Sequence, residues 1–129
     1  MSKEEVLRGL RVKESLTGRE IPADAFNVDQ RRMVLEYCWA GIWGREGMGL
    51  KERSILQLGI LAGLHRPNEF RSHVRLALKN GVSVEELRQA CIQITAYCGI
   101  PTGTEATRIA AEVLAEAGYT FAPVPPDEL

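Results

Sequence analysis

Apolar side chains recur every three to four positions along almost the whole chain, and no segment alternates at the two-residue period of a half-buried strand. The pattern predicts an all-α protein. A first helix over residues 3–16 carries Val6, Leu7, Leu10 and Leu16 as its apolar positions. Thr17-Gly18-Arg19 and Ile21-Pro22-Ala23-Asp24 read as a loop. A second helix spans 27–43, with Val28, Val34, Leu35, Cys38, Trp39 and Ile42 at helical spacing, and Gly44 with Gly47-Met48-Gly49 ends it. Residues 51–64 form the most hydrophobic helix, expected at the centre of the fold.

The remaining boundaries are set by helix-end chemistry. Pro67 suits the first turn of the next helix, where its missing N–H costs nothing, and that helix reaches Asn80 with Gly81 as its cap. Ser83-Val84-Glu85-Glu86 is a capping box that opens a helix running to Cys98. Gly99-Ile100-Pro101 breaks it. A last helix, from Pro101 or Thr102 to Ala117, buries Ala106, Ile109, Ala110, Val113 and Leu114 and stops at Gly118. About six helices thus fill one domain over 1–118, followed by a Pro-rich tail over 119–129 that cannot continue any helix. The helices over 51–64 and 84–98 carry apolar residues on more than one side, which predicts burial against other copies of the chain.

At 129 residues the chain fits a single domain with a real core. A formal net charge of -1 supplies no basic face for nucleic acid. The apolar-rich run from Ile55 to Leu64 is interrupted by Gln57 and too short to cross a bilayer. The first residues lack the charged-then-apolar order of a secretory signal, so a cytoplasmic location is expected. Cys38, Cys91 and Cys98 form no CxxC pair and read as small buried core residues. Neither His65 nor His73 has a second His or Cys at i+3 or i+4, so no metal is expected. No P-loop, GxGxxG, GxSxG or EF-hand pattern occurs.

Three constellations could carry chemistry. In Arg66-Pro67-Asn68-Glu69-Phe70-Arg71-Ser72-His73, Glu69 and His73 are neighbours on one helix face and Arg66 lies about one turn before Glu69. Arg66 can grip a carboxylate through its two-pronged guanidinium. His73 can move a proton near neutral pH, with a nearby carboxylate raising its pKa and fixing its tautomer. The same spacing also occurs on ordinary solvated helices. In Tyr37-Cys38-Trp39-Ala40-Gly41-Ile42-Trp43, the two indoles share a face and could either wall a pocket or pack in the core. In Tyr97-Cys98-Gly99-Ile100-Pro101-Thr102-Gly103-Thr104-Glu105, a helix end and a new helix start could accept an anion. Glu105 could equally be a helix-dipole partner. His65 reads as a helix-end residue.

Read together, Tyr37–Trp43, Arg66–His73 running into Ala77–Glu86, and Tyr97–Pro101 resemble the carboxymuconolactone decarboxylase family. The resemblance takes in Gly9-Leu10-Arg11-Val12 and extends to about Gly118. It implies an all-α protomer of the alkylhydroperoxidase D-like type, assembled into a ring as a trimer or hexamer, with sites near subunit interfaces. It also implies cofactor-free loss of CO2 from a carboxylated muconolactone in aromatic catabolism. The peroxidase branch carries a CxxC four residues before the equivalent histidine. Arg66 and Glu69 occupy those positions here, which excludes thiol redox chemistry of that kind.

The resemblance carries over Arg66, Glu69 and His73 as site residues, Arg66 to hold a small carboxylate and His73 to move a proton with Glu69 orienting it; Trp39 and Trp43 are expected to wall the pocket, Tyr97 and Thr104 to contact the carboxylate, and Glu105 to act as a second acid/base. The chain departs from the family pattern at two places: Gly41 replaces an acidic residue, and Thr104-Glu105 replaces Asn-His. The implied activity is a carboxy-lyase. The alternative is a diverged isomerase or hydrolase of the same fold, or a non-catalytic binding protein for a small carboxylate.

Overall fold

Helix α1 (Lys3–Thr17) opens where the Ser2 hydroxyl accepts from the Glu5 amide at 3.1 Å, with Glu4 and Glu5 at the positive end of the helix dipole. It ends at Gly18, whose φ of 64° lets its N–H reach the Glu14 carbonyl. The computed structural model describes residues 2–18 and 22–129, so Arg19 to Ile21 of the expected loop lie outside the described residues. Where the chain resumes, the Asp24 carboxylate accepts from the Phe26 and Asn27 amides, a turn that leads into α2 (Val28–Met33).

Helix α2 continues without a break into a π-helical segment, Val34–Trp43. The Gly44 N–H bonds to the Trp39 carbonyl five residues back, at 2.8 Å. The wider turn moves the buried stripe to Leu35, Ala40 and Trp43, leaving Cys38 and Ile42 exposed. The expectation of a continuous α-helix with Cys38 and Ile42 inside is corrected accordingly.

Four further helices follow: α3 (Leu50–Gly63), α4 (Pro67–Lys79), α5 (Val84–Cys98) and α6 (Ile100–Glu116). The Ser83 box is formed in both directions, with Ser83 Oγ accepting from the Glu86 amide and Glu86 Oε1 from the Ser83 amide, each at 3.0 Å. The break after α5 is tighter than the sequence suggests. Gly99 alone, at φ 98°, separates α5 from α6, and Pro101 sits in the first turn of α6. Between α3 and α4, His65 adopts φ 56°, and the Arg66 N–H bonds to the Leu61 carbonyl at 3.0 Å. His65 is therefore a helix-end residue.

Helix α3 packs on α4 and α5, and α6 packs on α5 and α4, so these four close a bundle around one core. Leu58, Phe70, Val74, Leu87 and Val113 are the largest of its fully enclosed apolar side chains among the described residues. Buried Ser54 accepts from Asn80 Nδ2 at 3.0 Å, tying α3 to the end of α4. Helix α1 and the π segment form a second layer, touching closely enough that a Cβ on Gly9 would lie 1.8 Å from the Leu35 carbonyl oxygen. Leu16, Trp43 and Leu76, flanked by Val12 and Trp39, pin this layer to α4. Beyond Gly118 the tail runs exposed to a short 3-10 turn, Pro126–Glu128.

Leu56 and Ile60 on α3, Leu64 just after it, and Ile92 and Tyr97 on α5 remain exposed, the surplus apolar surface that the pattern of these two helices predicts. The cysteine expectation holds only for Cys91. Cys38 and Cys98 are exposed, Cys38 by the π register and Cys98 because it ends α5 beyond its packed stretch.

Helices α5 and α6 meet backbone to backbone at Gly103, where a Cβ would lie 2.0 Å from Thr95 Oγ1 and 2.5 Å from its Cα. Gly103→Ala is therefore expected to destabilise the protein by about 1–3 kcal/mol, the usual range for overpacking a core. Urea unfolding followed by circular dichroism reads this directly, and an unchanged midpoint would show that the two helices can move apart freely.

Candidate active site

His73 lies two turns into α4, half-buried, with its ring stacked on Trp43 at a centroid distance of 5.7 Å and an interplanar angle of 27°. Trp43 in turn stacks on Trp39 at 5.9 Å and 29°. Trp43 itself is buried in the cluster with Leu16 and Leu76. Instead of walling an open pocket, it gives the imidazole a rigid apolar platform, while the half-buried Trp39 forms the outer plate.

The electrostatics of the ring follow from that packing. His73 Nδ1 is enclosed and has no hydrogen-bond partner. An imidazolium would place an unpaired N–H there, and leaving a buried donor unsatisfied is costly. Burial accordingly pulls the His73 pKa below its ordinary value, and the Glu69 carboxylate one turn earlier on α4 pushes it partly back up. With Nδ1 sealed, Nε2 is the nitrogen left to meet a substrate.

Arg66 precedes α4 with non-helical backbone angles, φ -116° and ψ 73°. Its side chain is exposed and has no hydrogen bond or ion pair among the described residues. It shares a narrow cleft with Leu61, Phe70, Thr102, Glu105 and Ile109, so α6 brings Glu105 to the same place as the Arg66 cation. The cleft measures about 10 Å³, room for at most one water.

The residues singled out from sequence thus separate. Trp39, Trp43, Glu69 and His73 gather on the stacked side of α4, and Arg66 and Glu105 gather at its start. Thr104 is exposed and does not line that cleft. Thr102 does, and the only signal for it is its spacing of three from Glu105 on α6. Tyr97, 87% exposed, lines a different groove, between α3 and α5, with Leu56, Ile60 and Cys98. Among the described residues no group of three His, Cys, Asp or Glu side chains could hold a metal ion. Chemically, the arrangement offers a free cation for a carboxylate and an imidazole tuned by burial against a neighbouring acid.

Comparison with known proteins adds to this geometry. The model of the carboxymuconolactone decarboxylase family matches residues 30–112, which include the π segment, all of α4 and most of α6. A 4-carboxymuconolactone decarboxylase of Acinetobacter baylyi is 31% identical over 93 residues, covering 72% of this chain and 69% of the relative. A nitrosuccinic acid decarboxylase of Metarhizium robertsii is 33% identical over 104 residues, covering 76% and 73%. An uncharacterised 15.0 kDa protein of Paracoccus denitrificans is 31% identical over 98 residues, covering 74% and 66%. With its all-α fold and a match across most of its length, the chain belongs to the carboxymuconolactone decarboxylase family.

Proposed function

We propose that this protein is a cofactor-independent carboxy-lyase that decarboxylates a carboxylated lactone or a related unsaturated oxo-acid from aromatic-compound metabolism. Family membership and two relatives named as decarboxylases support decarboxylase-like chemistry at the coarser level. One observation carries the finer reading: His73 is clamped against Trp43 with Nδ1 sealed and Glu69 beside it, on the same helix that Arg66 opens.

In this reading Arg66 holds a substrate carboxylate and Trp39 shields the reacting end. The arriving anion, added to Glu69, favours the imidazolium form of His73. As the bond to the departing carboxylate breaks, its electron pair passes into the unsaturated carbonyl system and CO2 leaves. The Nε2 proton of His73 then moves to the carbanion or enolate carbon, and water restores the proton to the ring. The unpaired Nδ1–H makes the imidazolium a stronger acid than in water, which helps it let go. Glu69 orients the ring, and Glu105 is placed to serve as a second acid/base or to temper Arg66.

A second reading rests on the two departures from the family pattern, Gly41 and Glu105. They favour a diverged isomerase or hydrolase, or a binding protein for a small carboxylate, with the same cation and imidazole. The narrowness of the Arg66–Glu105 cleft and the exposed apolar face of α3 and α5 together support a homo-oligomer, a trimer or hexamer, in which a second copy encloses the ligand.

Three outcomes test the reading. With carboxymuconolactone as substrate and CO2 release as the readout, His73→Gln is expected to lose roughly 10²–10⁴-fold in kcat, the range for a lost general acid. Arg66→Ala should act mainly on KM, and equal turnover in His73→Gln and wild type would sink the mechanism.

The pH dependence has a defined sign. Because burial lowers the His73 pKa, the alkaline limb of kcat/KM should fall at a pH below the ordinary 6.5 of histidine. Glu69→Gln removes a charge that raises this pKa and should displace the limb further down. A limb at or above 6.5 in the free enzyme would contradict the assignment.

For assembly, Leu56→Glu or Ile60→Glu should reduce the mass read by light scattering to that of a smaller species. An unchanged mass in both variants would place the interface elsewhere.

A further inference from the structure

Helices α5 and α6 are joined by one residue and meet closely at Gly103 and Thr95. Beyond that contact they line a half-open cavity of about 460 Å³, outside the site just described. Helix α6 separates the two: Thr102, Glu105 and Ile109 face the Arg66 cleft, whereas Thr107, Ala111 and Leu114 line this cavity.

The lining offers almost nothing polar. The Thr95 hydroxyl donates to the Cys91 carbonyl at 2.8 Å and the Thr107 hydroxyl to the Gly103 carbonyl at 2.7 Å, so both protons are spent on their own helices. Burial keeps the Cys91 thiol protonated and uncharged, and its sulfur meets Thr107. Phe121 from the tail and Ile92, one of the exposed apolar residues of α5, also line the cavity. The one charge in the lining is Arg88, which Glu85 of the same helix meets only at Nη1, 3.2 and 3.5 Å away. That pair is 64% exposed on both sides and easily exchanged for another anion.

We infer that this cavity is a second ligand site, for a small amphiphile with an apolar body and one acidic head, the body lying between α5 and α6 and the head at Arg88. Its volume falls within the range of small-molecule sites, and its mostly apolar wall with one placed charge matches their usual make-up.

The test uses decanoate, kept below its micelle-forming concentration, and decanol as the headless control, titrated into the full chain by calorimetry. Saturable binding of one decanoate per protomer is expected. Ala111→Phe should abolish binding, because position 111 is exposed on α6 and the ring can enter the cavity without entering the core. If that variant fails to fold, Ala111→Met is the slimmer filler. Arg88→Gln should weaken decanoate roughly two- to fivefold and leave decanol unchanged, as for a rim-exposed ion pair. No saturable heat, or binding retained in the filled variant, would overturn the inference. So would a fall in the mass of the assembly on filling the cavity, which would make a second copy its occupant.

Discussion

The indole of Trp43 is the contact on which the rest of the site depends. One face of this ring belongs to the packing of α1 and the π segment against α4, and another carries the His73 imidazole. Packing and chemistry are therefore coupled in one side chain. An apolar platform on one side and a sealed Nδ1 on the other disfavour the charged ring, and only the Glu69 carboxylate works in the opposite direction. The tuning of His73 is a by-product of how the second layer is attached to the bundle.

That attachment needs the π register. With i→i+5 bonding, Leu35, Ala40 and Trp43 fall on the buried side, and both indoles stack within reach of α4. Glycines make the geometry possible. At Gly44 a Cβ would lie 2.9 Å from the Ala40 carbonyl oxygen, and at Gly9 it would collide with the Leu35 backbone. π-Helical stretches are rare and often found at functional sites, and here the irregularity serves to present an aromatic pair to the histidine.

Much of the fold is legible from helix-end chemistry alone. The Ser83 box, Pro67, Gly81 and Gly118 each mark a boundary that the structure reproduces to within a residue or two, because caps act locally and need no knowledge of the tertiary fold. The π segment is not legible, since apolar residues over 34–43 suit a 3.6-residue period as well as a wider one. The choice is made by packing against α1. Cys38 and Cys98 read as core residues because free cysteine is usually buried, yet the π register puts the first outside and its place at the end of α5 the second. Of the candidate site, the α4 residues are readable because their spacing is local. That Arg66 and Glu105 line one cleft, and that Thr102 joins them where Thr104 does not, depends on how α6 crosses α4.

The left-handed residue between α3 and α4 has a mechanical meaning. Through its N–H, Arg66 is bonded to the Leu61 carbonyl of α3, and through its C=O it accepts from the Phe70 amide of α4 at 2.8 Å. The backbone of Arg66 is thus fixed at the joint, and that of His73 lies about 10 Å further along α4, at 1.5 Å of rise per residue. Both groups therefore ride on α4, and one helix sets the span between their backbones. In the proposed reading that span selects molecules by the distance between an anionic group and the carbon to be protonated, before the identity of any ring comes into play.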